Sequence, residues 1–171
     1  YEAYKKVMDA VYPRPVTIRT IDVGGDKQIS YLNMKKEENP FLGSRGIRLC
    51  MDNPQIFSEQ IEAILTAGAD KEVRIMLPMI TSVEEIKKTR EIIDNVKAKL
   101  DRENTKYTNR LLLGIMIETP AAAIMADVFA KYSDFFSIGT NDLVQYITAS
   151  DRGNADVEYV YNPFNPAVLK M

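Results

Sequence analysis

Leu111-Leu112-Leu113-Gly114-Ile115-Met116-Ile117-Glu118-Thr119-Pro120 is the stretch on which the fold turns. Its first seven positions are apolar or glycine, with no alternating polar face, which is the pattern of a strand in a parallel sheet covered on both sides. Thr119-Pro120 then offers an N-cap oxygen and a residue suited to the first helical turn, so an Ala-rich helix is expected to run to Lys131. Glu118 is the one charged residue between strand and helix.

The same order recurs on either side. Upstream, Val73 to Pro78 reads as a strand, and Ser82-Val83-Glu84-Glu85 as a capping box opening a long helix with Ile86, Ile93, Val96, Lys97 and Leu100 on its periodic side. Further upstream, Val16 to Val23 is rich in β-branched residues and stops at Gly24-Gly25. Asn53-Pro54 caps and begins a helix with Phe57, Ile61, Ile64 and Leu65 on one side and Gly68 at its end. Tyr4, Val7, Met8 and Val11 recur at helical spacing near the start. Downstream, Phe135 to Ile138 is a fourth strand, Asp142 to Ile147 a short helix, and Asn165-Pro166 a further helix start.

Repeated strand and helix units with right-handed crossovers define an α/β fold with a mostly parallel sheet. About four βα units are present in 171 residues, short of the roughly 250 of an eight-stranded α/β barrel, so a partial barrel with open strand edges is expected. No internal repeat, low-complexity tract or linker divides residues 1–171, and the polar Lys97 to Arg110 stretch reads as a solvated helix end.

Lys and Arg number 22 against 24 Asp and Glu, a net charge of -2 without the polybasic signal of nucleic-acid or membrane-surface binding. No apolar run approaches the ~20 residues of a membrane span, and Tyr1 to Val11 lacks a signal-peptide pattern, so a cytoplasmic protein without membrane insertion is expected. There is no histidine, which excludes a His-based triad or His zinc ligands within the chain. Cys50, the single cysteine, lies between Leu49 and Met51 and reads as a packing residue.

In a barrel the carboxyl ends of the strands converge on one face. Arg19 late in the first strand, Glu118 at the end of the third, and Asn141-Asp142 after the fourth would meet there. Glu118 and Asp142 are hard oxygen donors suited to magnesium, with substrate and water completing the shell. Each also has a bland reading, Glu118 as a partner of the following helix N-terminus and Asp142 as a helix-start residue. Arg19, Arg45 and Arg152 suit a carboxylate and a phosphate through directional guanidinium bonds, or else surface pairing. Arg45 and Arg48 share a candidate helix face, Gly24 to Lys27 a turn that could approach an anion. The Met76 to Met79 patch reads as core, and Tyr146, Tyr159 and Tyr161 as aromatic packing.

Ordered motifs along nearly the whole chain resemble the Enzyme I family of bacterial phosphoenolpyruvate-dependent sugar phosphotransferase systems. They are Ile18 to Lys27 (IRTIDVGGDK), Glu38 to Arg48 (ENPFLGSRGIR), Leu77 to Ile80, Gly114 to Ala122 (GIMIETPAA), Phe135 to Leu143 (FFSIGTNDL), Asp151 to Asn154 and Tyr161 to Val168. The glutamate and Gly-Thr-Asn-Asp-Leu motifs are also similar to pyruvate phosphate dikinase and phosphoenolpyruvate synthase; the early IRTIDVGGDK form favours Enzyme I. The resemblance implies the central part of a C-terminal barrel of the phosphoenolpyruvate/pyruvate-binding type. It implies that Arg19 and Arg45 contact phosphoenolpyruvate and its phosphate, Glu118 and Asp142 ligate Mg2+, Asn141 positions the substrate and Arg152 neutralises it. Phosphoryl transfer would go to a histidine of a separate N-terminal domain and on to a phosphocarrier protein, releasing pyruvate and starting sugar uptake, in a homodimer joined through the C-terminal domain. The family's acceptor histidine, a preceding phosphate-contacting arginine and a following catalytic cysteine have no counterpart in these residues, and Cys50 does not match that cysteine. No residue here suits protonation of the enolate. The segment alone is therefore expected to be inactive. Two other readings are a magnesium-dependent lyase or aldolase acting on a pyruvate-like enolate, and an assembly module using the Ser82 to Leu100 helix.

Overall fold

In the computed structural model, which describes residues 1–24 and 37–171, the apolar runs become four strands: β1 (Val16–Arg19), β2 (Glu72–Leu77), β3 (Arg110–Ile117) and β4 (Phe136–Ile138). They pair parallel in the order β1-β2-β3-β4. Each crossover moves one place along the sheet, and the product is half of an α/β barrel. The register pairs Arg19 with Met76, Leu77 with Ile115 and Ile117 with Ile138, so the carboxyl ends of all four strands reach the same rim.

Helices α1 (Glu2–Val11), α2 (Ile47–Asp52), α3 (Pro54–Ala67) and α4 (Val83–Arg102) precede or cover the first strands. The periodic residues of α3 and α4 pack into one cluster with Val73, Ile75 and Leu77 of β2 and Leu113 and Ile115 of β3. Phe57, Ile61, Ile64, Ile75 and Ile86 are fully excluded from water. Burial of each such side chain stabilises the fold by roughly 1.5–3 kcal/mol. The expected capping box forms at α4: Glu85 N–H donates to Ser82 Oγ at 3.4 Å and Ser82 N–H donates to Glu85 Oε2 at 2.9 Å.

Several local expectations change. β1 ends at Arg19 rather than Val23; Thr20 N–H still donates to Met76 O at 3.0 Å, after which Asp22 turns toward two arginines and leaves the ladder. Asn53 does not cap α3 with its side chain; its Nδ2 donates back to Leu49 O at 2.9 Å and closes α2. The Ala-rich helix splits into α5 (Pro120–Ile124) and α6 (Ala126–Phe129), because Met125 at φ -99° and ψ 18° leaves the α region. Helix α7 (Thr140–Thr148) starts two residues ahead of Asp142, which therefore lies in its first turn. The last helix, α8 (Pro166–Lys170), begins at the Asn165-Pro166 signal as expected. The β2 side chains alternate between half-buried and buried, so helices cover one face while the concave face stays open, as four strands cannot close on themselves. No helix among the described residues is long and apolar enough to cross a membrane.

Candidate active site

Arg19, Arg45, Glu118, Asn141, Asp142 and Arg152 all line one polar pocket of about 400 Å³ at the carboxyl rim of the sheet. Each comes from a different kind of position: Arg19 ends β1, Glu118 follows β3, and Asn141 and Asp142 open α7 after β4. Arg152 lies in the loop beyond α7, and Arg45 precedes α2. Gly46, between Arg45 and the helix, has φ +55°, and a Cβ there would come within 2.9 Å of Met79 Cγ. Glycine is thus required for the turn that sends Arg45 inward. Arg45 and Arg48 do not share a face: Arg48 Nη1 instead donates to Leu42 O and Gly43 O at 3.0 and 3.1 Å.

Arg45 is the hub. Its Nη1 donates to Asp142 Oδ1 at 3.0 Å and to Tyr146 Oη at 3.2 Å, while its Nη2 donates to Asp22 Oδ1 at 3.1 Å. Burial disfavours its charge, yet Asp22 and then Asp142 outweigh that and hold the guanidinium pKa above its ordinary value. The Phe41 ring lies 5.8 Å from the Arg45 Cζ and 5.7 Å from the Arg152 Cζ, a cation-π contact to each arginine. Tyr146 Oη donates to Phe41 O at 2.5 Å, tying that ring to α7. Arg19 Nη1 pairs with Asp22 Oδ2 at 2.9 Å, and Arg152 Nη1 lies 3.6 Å from Asp142 Oδ2.

Glu118 does not serve the next helix as the bland reading had it; Thr119 Oγ1 caps α5 by accepting from Ala122 N–H at 3.0 Å. Glu118 is fully buried, and its Oε1 accepts from Met79 N–H at 2.6 Å. Met79 holds φ +59°, a left-handed conformation that stores about 1–3 kcal/mol in a non-glycine residue, and its N–H points at this carboxylate. Among the described residues, Glu118 Oε2 has no hydrogen-bond partner. Burial pushes the carboxyl pKa up to about 7, opposed by the Met79 N–H and reinforced by Asp22 and Asp142. Gly139 gives it room: a Cβ there would stand 2.8 Å from Oε2. A buried oxygen without a partner beside a second carboxylate is a donor set that fits a hard divalent cation, with further oxygens from substrate and water. Among the described residues, three such side chains do not gather as a self-contained metal cage.

Asn141 is exposed, and both its backbone O and its Oδ1 face Tyr161 Oη, which donates at 3.2 and 3.4 Å. Tyr146 and Tyr161 therefore brace the pocket through their hydroxyls, while Tyr159 is exposed, so packing explains none of the three alone. Met79 combines core burial with a backbone contact to the site. Cys50 stays outside the pocket, buried, with its thiol raised to about 12 by desolvation. Of the Gly24 to Lys27 turn, Gly24 lines the pocket, and Gly25 to Lys27 lie outside the described residues. The residues missed were Asp22 and Phe41. Asp22 had a faint signal, an acid within three residues of the strand-end Arg19; Phe41 had none, since an aromatic in a loop reads as packing.

A second pocket of about 370 Å³, lined by Phe41, Gln145 and Tyr146 among others, lies beyond Phe41 and collects no guanidinium. The charged pocket is the candidate site. A parallel half-barrel whose carboxyl rim gathers three arginines and three acids defines a domain of the α/β barrel class with a charged site at that rim. Residues 1–171 match the family model described as PEP-utilising enzyme, PEP-binding domain, and the chain belongs to that family. It is 50% identical over 171 residues to the phosphoenolpyruvate-protein phosphotransferase of Mycoplasma capricolum, and 49% identical over 171 residues to that of Listeria monocytogenes. The Haemophilus influenzae protein of the same name is 49% identical over 167 residues. All of this chain is covered in the first two and 98% in the third, but it spans only 30%, 30% and 29% of the lengths of those relatives.

Proposed function

We propose that this chain is the phosphoenolpyruvate-binding and magnesium-binding part of a phosphoenolpyruvate-protein phosphotransferase. The observation that carries the reading is the convergence of Arg19, Arg45 and Arg152 with Glu118 and Asp142 on one pocket, in a chain similar over its full length to proteins of that name. A dianionic phosphate and a carboxylate need several directional cationic donors, which three guanidiniums supply.

Glu118 and Asp142 would hold magnesium, through the unpartnered Glu118 Oε2 and an Asp142 carboxylate now shared with Arg45 and Arg152. Magnesium adds a counter-charge for phosphoryl oxygens. The arginines hold substrate and stabilise charge as the phosphorus–oxygen bond to the enol breaks and a phosphorus–nitrogen bond forms on a histidine of a separate N-terminal domain. The enolate left behind takes a proton to become pyruvate, and the phosphohistidine passes its group to a phosphocarrier protein, which begins sugar uptake. Asn141 orients the substrate, with Tyr161 fixing it from behind. The whole protein acts in the cytoplasm as a homodimer joined through this domain's end of the chain.

Calorimetry of the full-length protein with phosphoenolpyruvate, with and without magnesium, tests the reading. Magnesium-enhanced binding is expected, and it should be lost in Asp142→Asn, which keeps the size of the side chain but removes the ligand charge. Equal affinity with and without magnesium would sink the metal assignment. With labelled phosphoenolpyruvate and a phosphocarrier protein, labelled carrier and pyruvate should appear together; carbon-bond cleavage instead would mark a lyase.

A further inference from the structure

Asp22 is the acid that the anion-binding reading leaves unexplained. Its Oδ2 pairs with Arg19 Nη1 at 2.9 Å and its Oδ1 accepts from Arg45 Nη2 at 3.1 Å, with the Asp22 side chain only 6% exposed. A carboxylate beside a site for an anion weakens that site by simple charge, so its presence there needs another reason. A bland ion pair requires one arginine. Here one carboxylate spans two arginines from separate elements, the end of β1 and the turn before α2.

The opposite edge of Arg45 points to the same role. Arg45 Nη1 is held by Asp142, and its Nε has no partner among the described residues. Under the proposed function Asp142 is drawn on by magnesium, which leaves Asp22 as the carboxylate devoted to the guanidiniums. We propose that Asp22 is a positioning residue that locks Arg19 and Arg45 into one fork for the phosphoryl donor. This rests on the proposed function for its catalytic consequence, but the locking is a property of the side chains themselves. Guanidinium groups on long flexible stems gain orientation from a shared, nearly buried acceptor, and orientation is what distinguishes the transferring group from any small anion.

Charge and geometry then predict opposite signs for Asp22→Asn. Removing the negative charge should leave inorganic phosphate, which accepts many guanidinium orientations, bound as tightly as before or up to about threefold tighter. Turnover with phosphoenolpyruvate should fall by about 30-fold in kcat, within the ~10²-fold range of a small misplacement of catalytic groups. Asp22→Glu keeps the charge on a longer stem and should lower kcat by about three- to tenfold, less than Asp22→Asn does.

The experiment uses the full-length protein that carries this segment, as wild type, Asp22→Asn and Asp22→Glu. Three readouts are taken: phosphoenolpyruvate-dependent turnover, the inorganic phosphate dissociation constant, and the guanidinium 15N signals of Arg19 and Arg45. Separate, slowly exchanging Nη signals in the wild type that average in Asp22→Asn, together with lost kcat and retained phosphate affinity, are the expected result. Unchanged kcat, unchanged Nη restraint, or a parallel loss of phosphate and phosphoenolpyruvate binding would each overturn the proposal. Should Asp22→Asn not fold, Asp22→Glu decides alone: lowered kcat with unchanged phosphate affinity supports the role, and wild-type kcat removes it. A wild-type protein that transfers no phosphoryl group refutes the functional reading, while the Nη signals and phosphate affinities still decide whether Asp22 locks the arginines.

Discussion

The two ends of a strand such as β2 live in different chemistry. Along its length, Val73, Ile75 and Leu77 press into α3 and α4, fully shielded from water. Just past its end, Met79 takes a left-handed turn, Glu118 keeps a buried oxygen without a partner among the described residues, and Arg45 sits nearly buried between two carboxylates. The first region satisfies every local rule and supplies stability. The second breaks several within a few residues, and such violations persist only where surrounding packing over-determines them. The helix-covered core is thus the frame that holds a charged, strained rim in place.

The sharpest way to break this contrast is Arg45→Met. It leaves Asp22 and Asp142 nearly buried without their shared counter-charge, and unfolding in urea should show a loss of about 3–5 kcal/mol. Under the proposed function, phosphoenolpyruvate turnover by the full-length protein should fall about 10³-fold with the same substitution. A rim that tolerated this change would not depend on the ion network.

Ile75→Ala strikes only the core. The cavity under α3 and α4 should cost about 2–5 kcal/mol by denaturant unfolding. Under the proposed function, the KM of the full-length protein for phosphoenolpyruvate should stay within about twofold while it is folded. A large KM change would mean that core and rim are not separable.

Ser82→Ala removes one side of the α4 capping box and should cost about 1 kcal/mol, read as a lowered thermal midpoint, without a change in kcat. The smallest effect is expected at Cys50. Its thiol, buried and raised to about 12, stays protonated in the folded protein where the unfolded thiol, at about 8.5, ionises. An acid with a raised folded pKa stabilises the fold below the unfolded value, and the advantage is lost as pH rises from about 8.5 through about 12. Alkylation by iodoacetamide at pH 8 should therefore be slow until denaturant is added; rapid labelling of folded protein would show that this part of the core opens.

Much of both regions was legible beforehand, for different reasons. The strands and the α4 cap could be read because apolar runs and capping residues act over a few neighbouring positions: Leu111 to Ile117 became β3, and Ser82 with Glu85 formed the expected reciprocal bonds. Errors fell where another contact displaced the expected one: Asp22 left the strand for Arg45, 23 residues on, and Asn53 turned back to Leu49 O one helical turn before it. Arg19, Glu118, Asn141 and Asp142 were named from their place at strand ends, Arg45 and Arg152 from arginine chemistry and the family resemblance, and all six line one pocket.

Residue order was sufficient for the parallel α/β arrangement and for the rim on which the charged groups would lie, because hydrophobic period and strand direction are properties of short segments. Which atoms meet on that rim was decided by tertiary packing alone. Arg45 is 97 residues from Asp142 and 23 from Asp22, and no local propensity acts across such spans. The same holds for Phe41 between Arg45 and Arg152, and for the partnerless oxygen of Glu118. Hydrogen bonds and cation-π contacts are short-ranged and directional, so they exist only once the sheet has brought the loops of separate strands within a few ångströms of one another.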